Sequence, residues 1–365
     1  MQGIMMLSLS STRTPTNLIR SEARNHWLSD RNIYPRVSVV VPMYNEVNHI
    51  EACLRSILSQ NYPADKLEIQ VVDGDSTDGS VQLVQERFIE AGAPVLLNRN
   101  LERKTSLSLN IGLKASTGQV IIILGAHAEM QPNFIALNVD NLRKENVYCC
   151  GGTLLNVGET PVQISIGAAM SHPFAMATAP HRYSQKPGYV KTAVFGAYRQ
   201  EVFEEIGFFE EEGVISEDAE LNWRIIQAGH KIFYDPRIKS LYHPRRTYRS
   251  LIRQMFTYGR LRVQMFRKHF EGLSLLHFVP PIFVLLLLVM AIGAVFSNWA
   301  RFLLAGVVLV YTGLALGFSV AAWRSQQKAH PAGITWAFIT LHLSWGMGFL
   351  IGLLGPKTYF KEYVH

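Results

Sequence analysis

The architecture of this chain is set by one segment, Val37-Ser38-Val39-Val40-Val41-Pro42-Met43-Tyr44-Asn45-Glu46. Its first five residues are mostly apolar and β-branched without alternation, which is the pattern of a strand buried on both faces. Pro42 ends the run, because a proline cannot donate a hydrogen bond to a sheet ladder. A polar sequence follows at once. The segment therefore predicts a buried strand that delivers a polar loop to one edge of a sheet.

Strand and helix patterns then alternate along the chain. Further strands are predicted at 68–73, 95–97, 120–124 and 147–153, and helices at 46–60, 80–90, 104–115 and 200–206. Strands that alternate with helices form a mostly parallel sheet whose two faces are covered by the helices. We therefore expect an α/β fold of the Rossmann-like kind.

Polar residues follow three of the strands at the points where the strands end. The segments are Pro42–Glu46, Asp73–Asp75 and Gly125–Glu129. Because ligands of open α/β sheets bind beyond the carboxyl ends of the strands, the three segments are expected to meet at one rim. Each alone is also ordinary loop chemistry, since Asp and Gly are common turn residues. Their coincidence at successive strand ends favours a ligand site.

The sequence lacks the two common phosphate-binding loops. No G-x-G-x-x-G follows the first strand, and no G-x-x-x-x-G-K-[ST] occurs anywhere. The usual backbone cradles for a dinucleotide or a triphosphate are therefore excluded. A rim of carboxylates suits a different task, in which hydrogen bonds hold a nucleotide's base and ribose and a divalent cation holds its diphosphate.

A cluster of acids opens a later helix. Glu217, Asp218 and Glu220 fall within four positions, and a helical pattern continues from there to Gly229. Acids in a first turn complement the helix dipole, so the cluster is by itself well explained as a helix start with Ser216 as its cap. It becomes a catalytic candidate because the chain also supplies a nucleotide rim for it to face.

Three of these segments together resemble the family 2 glycosyltransferases. They are V-S-V-V-V-P-M-Y-N-E at 37–46, V-V-D-G-D-S-T-D-G-S at 71–80 and E-D-A-E-L-N-W-R at 217–224. The resemblance covers residues 36–270 and is nearest to the succinoglycan-type glucosyltransferases of bacterial exopolysaccharide assembly, which share a Y-G segment similar to Tyr258-Gly259. It implies the GT-A fold, a Rossmann-like, mostly parallel sheet with helices on both faces.

The resemblance implies roles for the acids and for the rim. Asp218 would be the general base that takes the acceptor's proton, and Glu217 would adjust its pKa or orient the acceptor. Asp73 would bind the base of the nucleotide, and Asp75 the ribose or the base edge. The nucleotide pocket as a whole would be lined by Pro42, Tyr44, Glu46, Asp73, Asp75 and Lys104, of which Lys104 also fits a solvated helix lysine.

A divalent cation, Mn²⁺ or Mg²⁺, is also implied by the resemblance. Family members usually carry D-A-H after the fourth strand, whereas this chain has Gly125-Ala126-His127. The candidate ligands are His127, Glu129 and His243. Because imidazole is a poorer ligand for Mg²⁺ than for Mn²⁺, we expect a site that prefers Mn²⁺. The alternative is that His127 is a satisfied rim histidine and Glu129 a helix-start acid.

The region before residue 200 would face the acceptor, again by resemblance. Residues 164–179 fit either a helix over the site or an acceptor-side loop, and Gly196 is a candidate acceptor contact. The leaving diphosphate needs positive charge, for which Arg245 and Arg246 are the candidates besides a metal.

The last third of the chain changes in character. Residues 237–270 hold ten Lys and Arg and no Asp or Glu. We interpret 248–272 as a basic amphipathic helix in a membrane interface, and not as a nucleic-acid patch or a solvated helix face, because a transmembrane region at 277–355 follows. Its three uncharged spans, each long enough to cross about 30 Å of hydrocarbon, are 278–296, 302–323 and 334–354.

The distribution of cations predicts the orientation in the membrane. Because cation-rich flanks stay inside, the catalytic domain at 35–247 is expected to be cytosolic in a multi-pass protein of the bacterial inner membrane. Residues 1–34 lack a signal-peptide core and are expected to be a mobile tail. The three cysteines suit a reducing compartment. One re-entrant span is the alternative topology.

These features predict a membrane-bound, inverting glycosyltransferase. It would transfer a sugar from a nucleotide-sugar donor, a UDP-sugar by preference, to a hydroxyl of a lipid-linked or polysaccharide acceptor, with membrane lipids and no nucleic acid among its partners. A non-catalytic nucleotide-binding membrane subunit is the second hypothesis, and Gly125 motivates it. A processive synthase is the third, but the Q-x-x-R-W motif of such proteins is missing after Gln254.

Overall fold

The structure is a computed structural model that describes residues 26–211, 217–268, 274–326 and 329–355. A mixed sheet forms the centre of its amino-terminal domain and runs in the order β3-β2-β1-β4-β8-β6-β9-β5, with β7 also paired to β9. The strands are β1 (Val37–Met43), β2 (Leu67–Asp73), β3 (Val95–Arg99), β4 (Val120–Ile123), β5 (Ala128–Met130), β6 (Cys149–Asn156), β7 (Gly188–Val190), β8 (Ala197–Arg199) and β9 (Ile232–Tyr242).

The first half of the sheet is parallel and the second half is mixed. Strands β3, β2, β1 and β4 are parallel neighbours, whereas β8 is antiparallel to both β4 and β6. Strand β9 is parallel to β6 and antiparallel to β5. The predicted α/β architecture with a mostly parallel sheet is confirmed, and the carboxyl ends of β1 and β2 lie side by side at one edge.

Helices cover both faces of the sheet, and β1 contributes to the core on each side. Val39 and Val41 pack in one hydrophobic cluster and Val40 in the other, because successive side chains of a strand point to opposite faces. The helices of this domain are α1 (Ile50–Leu58), α2 (Ser80–Val84), α3 (Thr105–Ala115), α4 (Phe134–Lys144), α5 (Pro161–Met170), α6 (Pro173–Met176), α7 (Glu201–Ile206) and α8 (Glu217–Gln227).

The predicted mobile tail is wrong for residues 26–34, which pack on the domain. Trp27 is only 1% exposed, and the guanidinium of Arg143 lies 5.7 Å from the centre of its ring. Arg143 also donates hydrogen bonds to the carbonyl oxygens of Trp27 at 2.8 Å and Ile33 at 3.0 Å. The domain therefore begins before the predicted boundary at residue 35, while residues 1–25 lie outside the described part of the chain.

The carboxyl-terminal region is helical, and three of its helices are long and apolar enough to cross a membrane. This confirms the three predicted apolar helices, although α11 begins earlier than predicted and leaves Ser297 as the link from α10. The four helices are α9 (Tyr248–Lys268), α10 (Val279–Phe296), α11 (Asn298–Gln326) and α12 (Pro331–Leu354).

Residues 164–179 were predicted to be either a helix over the site or an acceptor-side loop, and they fold largely into helices. They join the amino-terminal domain to the carboxyl-terminal helices. Ile166 of α5 packs with Ile334 and Phe338 of α12. His342 of α12 donates from Nε2 to the carbonyl oxygen of Phe174 at 3.0 Å and accepts at Nδ1 from the hydroxyl of Tyr311 at 2.8 Å. The segment thus serves as the contact between the amino-terminal domain and the helices that can span a membrane.

Helix α9 packs its apolar face on protein. Leu251, Met255 and Val263 are buried, and α12 is the main neighbour of α9. This differs from the predicted burial of that face in a membrane interface. A position of α9 at the membrane surface remains a prediction, and it rests on exposed cations such as Arg249 and Arg253.

The crossing of α9 and α12 depends on glycine. A Cβ atom on Gly259 would overlap the carbonyl oxygen of Trp345, and one on Gly348 would overlap the carbonyl oxygen of Phe256. Small residues let helix backbones approach this closely. The Tyr258-Gly259 pair therefore has a packing reason for its glycine.

Gly259→Ala is expected to separate α9 from α12, since overpacking of this kind costs about 1–3 kcal/mol. The measurement is the thermal unfolding temperature of the detergent-solubilised protein. Gly313→Ala in α11 is the matched control, because nothing lies within 4 Å of a Cβ atom there. Equal unfolding temperatures for the two variants would contradict the tight crossing.

Candidate active site

The loops that follow β1 and β2 are joined into one rim by hydrogen bonds. Gly74 donates its N–H to the carbonyl oxygen of Met43 at 2.7 Å. Asn45 donates its N–H to Ser76 Oγ at 2.9 Å and accepts at Oδ1 from the N–H of Thr77 at 2.9 Å. Asn45 adopts a left-handed backbone with φ of 53°, which Asn tolerates better than most residues. The two predicted polar segments therefore meet, as expected for neighbouring parallel strands.

The two rim aspartates have different tasks. Asp73 is 4% exposed, and its carboxylate accepts from the backbone N–H groups of Asp75 at 3.1 Å and Ser76 at 3.2 Å. It therefore shapes the turn. Asp75 lies at the surface of the rim and bonds Arg103 at 2.8 Å and Arg99 at 3.0 Å. The hydrogen bond from Arg103, followed in size of effect by that from Arg99, lowers the pKa of Asp75. Asp75 is therefore ionised at neutral pH.

Three other residues predicted for the nucleotide pocket, Tyr44, Pro42 and Lys104, have different surroundings. The guanidinium of Arg103 lies 5.5 Å from the centre of the Tyr44 ring, so Tyr44 and Asp75 share one cationic neighbour. Pro42 lies within β1, opposite Val72 of β2. Lys104 Nζ is 2.7 Å from Glu102 in an exposed ion pair, which favours the alternative of a solvated helix lysine. Arg103 was not among the residues predicted from the sequence, because its only local signal is its place in the loop after β3.

Two histidine–glutamate pairs lie along the strand ends. His127 Nδ1 is 3.1 Å from Glu46 Oε1, and His243 Nε2 is 3.5 Å from Glu129 Oε1. The rings of His243 and His49 stack with their centres 5.9 Å apart. In the described ranges no three His, Cys, Asp or Glu side chains lie close enough to hold a metal ion. The predicted ligands His127, Glu129 and His243 are therefore divided between two pairs and do not form one cage.

The glycines on this side of the site differ in how much space they have. A Cβ atom on Gly125 would lie 3.4 Å from Cε1 and 3.6 Å from Nε2 of His127, which are ordinary contacts. Crowding is therefore not the reason for the missing acid at Gly125. A Cβ atom on Gly196 would lie 2.9 Å from the hydroxyl oxygen of Tyr198, so this glycine makes room for a buried ring. Contact of Gly196 with an acceptor remains a prediction.

Helix α8, which carries the acids, is fixed by the side chain of Asn222. Asn222 is fully buried and donates from Nδ2 to the carbonyl oxygen of Ala193 at 2.9 Å and to Thr192 Oγ1 at 3.1 Å. Its Oδ1 accepts from the hydroxyl of Tyr198 at 3.5 Å. Asn222 lies one helical turn after Asp218, on the same side of the helix. Asn222 was not among the residues predicted from the sequence, although a lone Asn among apolar helix residues was a usable signal.

Glu220 has a structural role in α8. Its carboxylate is buried and accepts two hydrogen bonds of 2.8 Å from Arg224. Arg224 also donates to the carbonyl oxygens of Ile206 at 2.7 Å and Phe208 at 2.9 Å. Of the three predicted acids, Glu217 and Asp218 therefore remain as candidates for chemistry. The predicted cap, Ser216, lies in 212–216, outside the described residues.

The environment of Asp218 suits a group that exchanges a proton near neutral pH. Burial, together with the negative charge of Glu217, raises the pKa of Asp218 to about 7. Asp218 in turn contributes to the raised pKa values of Cys149 and Tyr198, so it lies near the first residue of β6 and the middle of β8. A carboxyl with such a pKa is partly ionised at neutral pH and can act as a general base.

Tyr242 ends β9, and Arg245 and Arg246 follow it in the chain. The ring of Tyr242 at the end of β9 lies 6.0 Å from that of His127, centre to centre. Arg246 is exposed and lies 3.6 Å from Glu159, and Arg245 beside it is also exposed. The roles of these two arginines at a diphosphate remain predictions.

Comparison with known proteins identifies the domain. Residues 38–207 match the family model described as Glycosyl transferase family 2. A dolichyl N-acetyl-alpha-D-glucosaminyl phosphate 3-beta-D-2,3-diacetamido-2,3-dideoxy-beta-D-glucuronosyltransferase of Methanococcus voltae is 27% identical over 256 residues, which cover 68% of this chain and 80% of that protein. The succinoglycan biosynthesis protein ExoA of Rhizobium meliloti (strain 1021) is 26% identical over 322 residues, 87% of this chain and 94% of that protein.

A solved structure shares the fold. The mannosyltransferase PcManGT of Pyrobaculum calidifontis, determined with GDP-Man and Mn²⁺, superimposes with a TM-score of 0.65 at 23% identity, over 92% of this chain and 94% of that chain. At this identity the likeness shows the fold alone. Residues 38–207 therefore form a family 2 glycosyltransferase domain with the GT-A fold, and this protein is a glycosyltransferase.

Proposed function

We propose that this protein is an inverting, membrane-bound glycosyltransferase of cell-surface polysaccharide biosynthesis. It moves a sugar from a nucleoside diphosphate donor, by preference a UDP-sugar, to a hydroxyl of a lipid-linked or polysaccharide acceptor. One observation carries the proposal: Asp218 lies in the first turn of α8 with its pKa raised to about 7, and Asn222 fixes that helix to the backbone before β8.

The reaction we propose is a single displacement in which Asp218 is the general base. Ionised Asp218 takes the proton of the acceptor hydroxyl while that oxygen forms a bond to the anomeric carbon. The bond from this carbon to the donor phosphate breaks, and the nucleoside diphosphate leaves with the electron pair. Glu217 raises the pKa of Asp218 through its charge, which keeps the base strong enough to accept a proton at neutral pH.

The donor is proposed to lie on the rim formed after β1 and β2. Tyr44 and Asp75 are held next to each other by Arg103 and offer a ring face and a carboxylate to the nucleoside. Asp73 supports this loop through its backbone hydrogen bonds. A panel of labelled nucleotide sugars incubated with membranes identifies the donor by the label that enters the lipid extract.

Each histidine–glutamate pair offers one carboxylate to a divalent cation. Mg²⁺ is usually bound through one or two carboxylates together with substrate phosphates, so such a pair can be enough. The residues that would hold it are Glu46 with His127, or Glu129 with His243. When bound, the cation would balance the charge of the leaving diphosphate. The structural relative PcManGT was determined with GDP-Man and Mn²⁺, which supports the proposal of a divalent cation here.

The acceptor is proposed to reach the site from the membrane. Three helices of this chain are long and apolar enough to span one, and the Methanococcus voltae relative is named for a dolichyl phosphate sugar acceptor. The excess of cations before α10 supports a multi-pass protein of the bacterial inner membrane with a cytosolic catalytic domain.

A second candidate function is a non-catalytic, nucleotide-binding membrane subunit. The missing acid at Gly125 is the observation that favours it. Purified protein that binds a nucleoside diphosphate and transfers no sugar across the donor panel would select this candidate.

Asp218→Asn is expected to keep the fold and nucleotide binding and to lower transfer by at least about 100-fold, the scale for losing a general base. The change is nearly isosteric, so a loss reports on proton transfer. Asp140→Asn, which alters an exposed acid on α4, serves as the control and should transfer normally. Near-normal turnover in Asp218→Asn would assign the acids to helix capping only.

The pH dependence of transfer should follow the ionisation of Asp218. Because the base must be deprotonated, the rate is expected to rise with pH through about 7 and to level off above. Glu217→Gln removes a negative charge that raises the pKa of Asp218, so the rising limb should move to lower pH. The measurement is kcat/KM against pH for both proteins, and a limb that stays in place or moves upward contradicts the coupling.

Gly125→Asp is expected to strengthen Mn²⁺ binding, because it places a carboxylate beside His127 where space exists. Gly125→Ala fills the same space without charge and should leave the affinity unchanged. The measurement is the concentration of free Mn²⁺, followed by electron paramagnetic resonance, with protein and nucleoside diphosphate present. Equal affinities for the two variants, or wild-type affinity in His127→Ala, would remove His127 from the cation site.

A further inference from the structure

Arg182 lies between the rim and the carboxyl-terminal helices and has few partners of its own. Its guanidinium carbon is 5.4 Å from the centre of the Tyr242 ring, and its Nη1 is 3.5 Å from Asn156 Oδ1. Among the described residues it forms no ion pair with a carboxylate. A guanidinium offers five N–H donors in a planar fork, so most of them remain available to a ligand.

Two tyrosine hydroxyls add donors next to this guanidinium. Gln254 of α9 donates from Nε2 to the hydroxyl of Tyr242 at 3.2 Å and to that of Tyr258 at 3.2 Å. Because both hydroxyls accept from Gln254, each keeps its own hydrogen to donate to another oxygen. Tyr258 is 46% exposed, so part of its side chain is open to a ligand.

The charge around these donors is positive. Arg182 and Arg245 are the charged groups that act on Tyr258, and both are cations. Planar guanidinium groups bind phosphate oxygens through paired hydrogen bonds, which makes phosphate the anion that this set of donors fits best.

The cluster lies between the proposed cation site and the carboxyl-terminal helices. Tyr258 precedes Gly259, the residue at which α9 touches the backbone of α12 at Trp345. The Tyr242 ring lies 5.4 Å from the guanidinium carbon of Arg182 and 6.0 Å from the ring of His127, so one tyrosine links the cluster to the proposed cation site.

We propose that Arg182, Tyr242 and Tyr258 form a subsite for the phosphate or diphosphate group of a lipid-linked acceptor. This inference rests on the proposed function, because it names the acceptor class of that same site. The diphosphate of the donor has the same chemistry. The position of the cluster against α9, next to the crossing with α12, assigns it to the lipid.

The test uses the full chain in neutral phosphatidylcholine nanodiscs and three probes: a polyprenyl phosphate, the matching polyprenol without phosphate, and UDP. Arg182→Gln is expected to weaken binding of the polyprenyl phosphate by at least about 10-fold, the scale for losing charge-assisted hydrogen bonds. Arg182→Lys, which keeps the charge and loses the fork, should be intermediate. Arg87→Gln is the control, because Arg87 is exposed and pairs with Glu51 of α1. Binding of the polyprenol and of UDP should not change in any variant.

Several results would overturn the proposal. Wild-type protein that binds polyprenyl phosphate no better than polyprenol has no such subsite, and a variant that loses UDP instead of the lipid assigns Arg182 to the donor. If Arg182→Gln lowers the thermal unfolding temperature, Tyr258→Phe is used in its place, because Tyr258 is at an exposed position. Its binding of the same three probes then decides whether the subsite exists. Binding needs no turnover, so the subsite can stand or fail independently of the transfer reaction and of Asp218.

Discussion

The buried amide of Asn222 is the contact on which the geometry of the site depends. It links α8 to the backbone at Ala193 and to the hydroxyl of Tyr198, so the helix that carries Asp218 is fixed to the segment before β8 and to β8 itself. The space that Tyr198 needs explains Gly196, since a side chain there would meet the ring. The hydrogen bonds of Asn222 thus fix α8 to β8, and the Tyr198 ring that takes part in them requires glycine at position 196.

This arrangement places an acid where its ionised form is disfavoured. A shift of the pKa of Asp218 from 3.8 to about 7 corresponds to a destabilisation of the ionised folded state on the order of 4 kcal/mol. Because the folded-state pKa is raised, this destabilisation grows as the pH rises from about 4 to about 7. The hydrogen bonds between Glu220 and Arg224, and those of Asn222, hold the same helix in place and offset part of this cost. A base that is reactive at neutral pH is therefore supported by neighbours that have no part in the chemistry.

Those parts of the molecule that depend on local pattern could be predicted from the sequence. The valines of β1, the polar loops after β1 and β2 and the three long apolar helices each carry their signal within a few residues. Their positions relative to one another follow from the general rule for parallel sheets. The carboxyl-terminal helices were recognisable because about 20 apolar residues have few other uses.

The rest depends on partners that are distant in the chain. Asp75 is paired with Arg99 and Arg103, and Asn222 with Ala193, through contacts that no spacing rule reveals. The same holds for Trp27, which packs against Arg143 and contradicts the predicted tail for residues 26–34. Helix α9 has the pattern of an interfacial helix, yet α12 covers its apolar face. Amphipathic pattern alone does not say whether protein or lipid covers an apolar surface.

The anomeric configuration of the product tests the central claim most directly. If Asp218 acts as a base on the acceptor and the diphosphate leaves in the same step, the sugar must be attached from the face opposite to the leaving group. Nuclear magnetic resonance of the isolated product gives the coupling constant of the anomeric proton. Transfer from an α-linked donor is expected to give a β-linked product, and an α-linked product would contradict the assignment of Asp218 as general base in a single displacement.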